Sequence, residues 1–308
     1  MTEQLTLPPA AEVTGPGVYA IPAEQYHGDP VPGGSLSSTG ARKLLPPSCP
    51  ALFHHWRSQP AEVNDAFDLG HAAHALVLGT GPELVLVDRP RWDTNAVKQE
   101  VADIRERGAV PLKREPYDAV HAMAEQIRRH PIAGRLLDPG NGVTEQALIW
   151  AERTFTVNPD PAAEGETRTA AVRCRAMVDL LPHPRSGRMI LPDYKTAVSA
   201  HPDDVAKALS RHGYHIQLGF YLRGARALGL ADDTAVGVLV VQEKTPPYLV
   251  SVIEPDRTAR RLADMRVQEA IDTYAQCTAT GRWPGYSDDV VVVELPRWET
   301  RELDGEIW

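Results

Sequence analysis

The fold of this chain is constrained most by three strand patterns that follow one another in its second half. "VTEQALIWAERTFTV", "RTAAVRCRAMVDLL" and "RMILPDYKTA" are rich in β-branched residues and alternate in polarity, which is the pattern of successive strands. The connector "NPDPAAEGETR" reads as a mobile hairpin loop and "PHPRSG" as a tighter one. A helical stretch then runs through "HPDDVAKALSRHGYHIQLGFYLRGARALG", broken near Gly213. The order continues with a strand "AVGVLVVQEK", a turn at Pro246-Pro247, a strand "YLVSVIEP", a long helix from Asp256 to about Thr280, and the apolar run "DVVVVELP". Strands bracketed by helices predict an α/β (α+β) domain with a mixed central sheet.

The first half is more helical. Residues 1–12 have the composition of a flexible tail. "VPGGSLSSTGARKLL" supplies a turn and then serines suited to capping a helix that starts near Ser38. In "AFDLGHAAHALVLG", Leu69, Ala72, Ala73, Leu76 and Val77 fall at core spacing, with Gly79 as the stop. Further helices are expected over Ala96–Gly108 and Glu115–Leu137. The layout is thus one domain over 13–308, with a helical part at about 36–140 and a sheet with its helices at about 143–295.

Bulk properties narrow the function classes. A chain of 308 residues, 43% hydrophobic, can bury a full core. Its apolar stretches fall short of the ~20 residues of a membrane helix, and its start lacks the pattern of a secretion signal, so a cytoplasmic, non-membrane protein is expected. Cys49, Cys174 and Cys277 are scattered and form no CxxC pair, which disfavours a disulfide framework, a zinc ribbon or an iron–sulfur cluster. A net charge of -9 argues against a protein that merely coats nucleic acid. A basic lining inside an acidic protein is still allowed, and metal-binding carboxylates would add to the negative total.

The chemistry is concentrated in "ILPDYKTA". Asp193 and Lys195 are two residues apart on a strand and so share a face. Taken alone they describe a solvated ion pair of little worth. Asp179, at the end of the preceding strand of a predicted hairpin, changes that reading, because cross-strand neighbours approach to about 5 Å. Two carboxylates crowded together are costly unless a cation lies between them. Magnesium and manganese take such oxygen ligands, and an adjacent lysine can orient water and stabilise negative charge. The trio suits metal-assisted phosphodiester hydrolysis. His74 among alanines and leucines reads by itself as a core histidine, and Tyr221 as a core aromatic. His54, His55 and His71 read as surface or fold residues, since they lack the pairing of a metalloprotease helix. Glu243 and Lys244 are adjacent on a strand and face opposite sides.

With "MVD" and "DYK" as its two signature pieces, the chain resembles the PD-(D/E)XK nuclease superfamily, with its restriction-endonuclease-like core. The ordered series "GHAAHAL", "TEQALIW", "RCRAMVDLL", "ILPDYKTA" and "YHIQLGFYLRGA" is similar to the exonuclease VIII (RecE-like) branch of recombination nucleases, over nearly the whole chain. The resemblance implies His74 and Asp179 as metal ligands, Asp193 as a ligand shared between two magnesium ions, for which manganese can substitute, and the Tyr194 carbonyl completing a shell. Lys195 would position the attacking water. Gln217 and Tyr221 match the family's Q-x-x-x-Y helix and would position the lysine region or the DNA strand, and Glu145 is a further candidate ligand. The implied activity is a 5′-to-3′ exonuclease on double-stranded DNA ends that leaves 3′ overhangs for a RecT-like single-strand annealing protein. A homo-oligomer is implied as well. An endonuclease or Cas4-like nuclease of the same fold, or an inert DNA-binding member, are the alternatives, although the cysteine cluster of the Cas4-like type is absent. Pro192 before the aspartate departs from the family's aliphatic residue and calls for an edge strand or a bulge. The DNA path is expected to pass Arg173, Arg175 and the Gln217 helix.

Overall fold

The computed structural model of the chain describes residues 13–59, 69–157, 167–296 and 299, so the expected tail at 1–12 and residues 158–166 of the expected hairpin loop lie outside the described residues. The two longest strands, β5 (Gly142–Val157) and β6 (Thr167–Pro182), form an antiparallel hairpin. β1 (Gly17–Tyr19) pairs antiparallel with β5, and β2 (Leu36–Ser37) pairs parallel with β6 at Cys174 and Arg175, giving the order β1-β5-β6-β2. A second sheet holds β7 (Ile190–Ala197), β8 (Val236–Glu243) and β9 (Val250–Ile253), with β7 and β8 parallel. The two sheets abut along β6 and β7.

This corrects the expected hairpin between the second and third strands. β7 takes its ladder from β8, which returns to it through the helices α8 (Pro202–Arg211) and α9 (Tyr214–Ala227). A parallel pair needs such a helical crossover, whereas residues 183–189 only carry the chain from one sheet to the next. β7 is an edge of its sheet, which accommodates Pro192. The Tyr194 N–H points away from β8 to the Asp179 carboxylate. The Pro192 nitrogen, two residues earlier, lies on the same unladdered side, where no donor is missed.

The main core lies between the β5–β6 hairpin and the helices α9 and α10 (Arg257–Thr280). Alternate residues of the hairpin, Leu148 and Trp150 on one strand and Cys174, Ala176 and Val178 on the other, turn to this side and are almost fully buried. Burial of a large apolar side chain is worth about 1.5–3 kcal/mol. α9 packs closely because Gly224 lies on the Trp150 ring, where a Cβ would come within 2.7 Å of Cζ3. The break between α8 and α9 is at Gly213, whose φ of 64° a side chain would strain. Asp256 caps α10 by accepting the Ala259 N–H at 2.7 Å.

The amino-terminal part contributes α1 (Ala23–His27), α2 (Ser38–Leu44), capped by the Ser37 hydroxyl, α3 (Pro50–Ser58) and α4 (Leu69–Leu78). A parallel pair, β3 (Leu84–Leu86) and β4 (Val110–Leu112), is crossed by α5 (Asn95–Glu106) and has its own small core around Val97, Val101 and Ile104. The single helix expected over 115–137 is two, α6 (Arg114–Arg129) and α7 (Ala133–Leu136), because Pro131 cannot continue the first. The valine run near the carboxyl end pairs with no strand among the described residues. Val290 and Val292 are 96% and 91% exposed. No described helix is long and apolar enough to cross a membrane.

Candidate active site

The candidate site lies where β6 meets β7, beneath α4. On α4, Ala72 packs with Leu112 and Val120, and Ala73 is fully buried. The next residue, His74, is carried over the Tyr194 ring, their centroids 5.9 Å apart. Its Nε2 lies 3.3 Å from Asp179 Oδ1. The other Asp179 oxygen, Oδ2, accepts the Tyr194 backbone N–H at 2.6 Å. Asp179 therefore bridges the helix and the second sheet. The Tyr194 side chain lies on the α4 side of β7, opposite to Asp193 and Lys195, and its hydroxyl donates to Gln242 Oε1 at 2.6 Å. His71 is exposed on the same helix, and His74 is the histidine that meets the acids.

Asp193 is fully buried. Its Oδ1 accepts a hydrogen bond from Gln217 Nε2 at 2.9 Å, and the same amide donates to the Tyr221 hydroxyl at 2.7 Å. Its Oδ2 faces Lys195 Nζ at 2.6 Å but accepts no hydrogen bond of good geometry. Gln217 and Tyr221 are four residues apart on α9 and share a face. Both are buried, at 7% and 6% exposure, and Gln217 braces Asp193, the ion-pair partner of Lys195.

The electrostatics are those of crowded acids. Burial, opposed by the Lys195 charge and reinforced by Asp179, pushes Asp193 up to about 6. Asp179 is also buried, but the His74 hydrogen bond, the Lys195 charge and the Tyr194 N–H hold its carboxyl below the ordinary range. His74 loses some basicity to burial and gains more from Asp179, ending above its ordinary value. Lys195 is likewise raised, with burial outweighed by the two aspartates. The two acids thus keep different protonation preferences within one pocket.

Glu145 carries a left-handed φ of 50°. The β5–β6 ladder pairs Thr144 with Leu180 and Gln146 with Val178 but skips Glu145, which stands opposite Asp179. Such a conformation in a non-glycine residue costs about 1–3 kcal/mol. The Glu145 charge reaches His74 and favours its protonation. Nothing in local sequence announced this strain.

Among the described residues, no three His, Cys, Asp or Glu side chains stand together as a ready cage for a metal ion. The donor chemistry still fits a hard cation: two buried carboxylates converge, and one Asp193 oxygen lacks a hydrogen bond. Arg175, expected along the DNA path, is instead sealed. It pairs with Asp29 Oδ2 at 2.9 Å and donates to Ser35 and to the Tyr26 carbonyl, so its charge is spent inside the fold. Arg173, two residues earlier, is exposed.

Comparison with known proteins agrees with this architecture. Residues 163–296 match a family described as a PDDEXK-like domain of unknown function. A solved structure from Eubacterium rectale, described as a candidate exonuclease, superposes with a TM-score of 0.53 at 11% identity, covering 94% of this chain and 100% of that one. A second structure, that of SSO0001, overlaps at a TM-score of 0.23 and 13% identity over 65% of this chain and 85% of that one, and bears on nothing further. No curated protein matches the sequence. The fold is a mixed α/β arrangement with a PD-(D/E)XK restriction-endonuclease-like core.

Proposed function

We propose that the chain is a metal-dependent exodeoxyribonuclease acting 5′ to 3′ on the ends of linear double-stranded DNA. A nuclease of the PD-(D/E)XK type is the general reading supported by the match over residues 163–296. The observation that carries it to a working site is the buried Asp193, with one oxygen facing Lys195 alone at 2.6 Å and Asp179 raising its pKa. A fold keeps such an arrangement at a cost, which points to chemistry rather than stability.

Asp179, Asp193, His74 and the Tyr194 carbonyl are the groups that would hold magnesium or manganese, with Glu145 beside them. The ion would supply charge neutralisation at the scissile phosphate and activation of water. The remaining work falls to this chain's own groups. Lys195 keeps its proton at Nζ, because both acids raise its pKa, and presents a fixed positive charge to a phosphate oxygen and to incoming water. Gln217 locks Asp193 Oδ1, and Tyr221 locks Gln217. His74 and the Tyr194 N–H fix the two oxygens of Asp179. Release of nucleotides from one strand would leave a 3′ overhang for a RecT-like annealing protein, and a homo-oligomer is part of the same reading.

The test is digestion of a linear duplex labelled at either the 5′ or the 3′ end, with a circular plasmid in parallel, in magnesium or in chelator. Early release of 5′-labelled mononucleotide, dependent on magnesium and absent on the plasmid, is the expected result. Linearisation of the plasmid would replace the exonuclease with an endonuclease. Absence of cleavage in both magnesium and manganese would leave an inert DNA-binding protein.

A further inference from the structure

A second surface carries the chemistry of nucleic-acid contact, well away from the acids. α3 exposes His54, His55, Trp56 and Arg57 in succession. The His54 ring stacks on Trp283, with centroids 4.9 Å apart and planes at 29°. Trp56 is 41% exposed, and Lys43 Nζ stands 4.8 Å from its ring centre. Arg57 lies over the Tyr274 ring and donates to its hydroxyl at 2.8 Å. Beside these groups is an open cavity of about 360 Å³, lined by His54, Arg57, Tyr274, Trp283 and Gly33. Its volume falls at the lower end of the range for small-ligand sites.

The loop Gly33-Gly34 completes the surface. Both glycines have positive φ, 75° and 87°. The Arg173 guanidinium rests against the Cα of Gly33, where a Cβ would meet Nη2 at 2.5 Å, and the Arg57 guanidinium rests in the same way on Gly34. Two guanidinium groups are thus drawn to one rim. Arg57 has a long pairing to Asp29 at 3.7 Å, and Arg173 has no ion pair among the described residues. Arg173 and Asp179 are six positions apart on β6, so they face the same side of the sheet at a separation of about 20 Å. β6 therefore connects this rim directly to the candidate active site.

Aromatic rings flanked by arginine and lysine form the platform on which single strands bind, with bases stacking and phosphates meeting cations. We propose that the face made by His54, Trp56, Arg57, Trp283 and Arg173 binds single-stranded DNA, namely the strand left unpaired when its complement is hydrolysed. The assignment rests on the nuclease reading above for its substrate. The surface itself is separate from the hydrolytic groups.

The experiment uses the full chain in chelator, with a fluorescein-labelled oligothymidylate followed by anisotropy, and a separate magnesium-dependent digestion of a short blunt duplex. Trp56→Ala and Arg173→Glu should each weaken oligonucleotide binding by about tenfold, the loss expected for one stacked base or a reversed phosphate contact, whereas Arg173→Lys should bind nearly as the parent does. Initial duplex hydrolysis should persist in Trp56→Ala, and circular dichroism should show that all three variants fold. A parent that digests duplex but does not bind the oligonucleotide overturns the inference and leaves the nuclease reading standing. Parent-like binding by both Trp56→Ala and Arg173→Glu overturns it as well. A parent that binds the oligonucleotide with this mutational pattern but never cleaves supports the surface and removes the nuclease reading.

Discussion

Two buried charged clusters share one side of β6, and they differ in how fully their atoms are satisfied. At Arg175 every contact closes: the guanidinium meets Asp29, Ser35 and the Tyr26 carbonyl, while Asp29 accepts the Ser35 N–H and hydroxyl, each at 2.8 Å. At Asp193 one oxygen is held by the Gln217 amide and the other meets only the Lys195 ammonium, and a second acid stands close enough to raise its pKa. The first cluster is a buried pair that fixes the α1–β2 loop against the sheet. The second is poised for something that arrives from outside. Burial and charge are common to both clusters, and what sets Asp193 apart is the second acid beside it, which raises its pKa.

The largest expected effect separates the two clusters outright. Asp193→Asn should lower magnesium-dependent cleavage by at least about 10²–10³-fold, the loss typical of removing one electrostatic stabiliser at a reacting centre. It should leave the fold intact in circular dichroism. Arg175→Ala should do the opposite. It leaves Asp29 with only the long Arg57 pairing at 3.7 Å and should cost up to about 3–5 kcal/mol in denaturant unfolding, while cleavage per folded molecule survives. If Arg175→Ala proved stable but inactive, the sealed cluster would belong to the site after all.

A pH measurement sharpens the comparison. The pKa of Asp193 is about 6 in the fold, above the ordinary value near 4 in the unfolded chain. Its contribution to stability is therefore fully present below about pH 4 and is lost as the pH rises toward 6. In chelator, Asp193→Asn should lose that decline between about pH 4 and 6 in urea titrations. An unchanged profile would mean that Asp193 is not the strained acid. A smaller effect is expected at Gln217→Leu, which leaves Asp193 Oδ1 and the Tyr221 hydroxyl without their shared donor. A stability loss of about 1–3 kcal/mol should accompany a partial loss of rate.

Much of the fold was legible because local pattern and tertiary role agree. The Q-x-x-x-Y pair came from the resemblance, while the β5–β6 hairpin, the break at Gly213 and the start of the last helix at Asp256 follow from periodicity and breaker residues. So does the shared face of Asp193 and Lys195. What stayed hidden depends on partners distant in sequence. The Asp29 that neutralises Arg175 lies in another part of the chain, so a buried arginine read as a DNA contact. The parallel pairing of β7 with β8 is decided by the crossover through α8 and α9, which strand pattern does not encode. Glu145 is strained by its position in the ladder opposite Asp179, although its own sequence context is an ordinary strand. The valine run at 290–293 has strand composition but is exposed and pairs with no strand among the described residues, and composition does not supply a partner.

The central claim is that Asp179 and Asp193 hold a divalent cation, and magnesium titration of the full chain tests it most directly, read by calorimetry and by unfolding temperature. The parent should bind and be stabilised, by about 2.7 kcal/mol when magnesium reaches a hundredfold excess over its Kd, and Asp193→Asn should show neither response. Equal binding by parent and variant, or no binding by a folded parent, would contradict it.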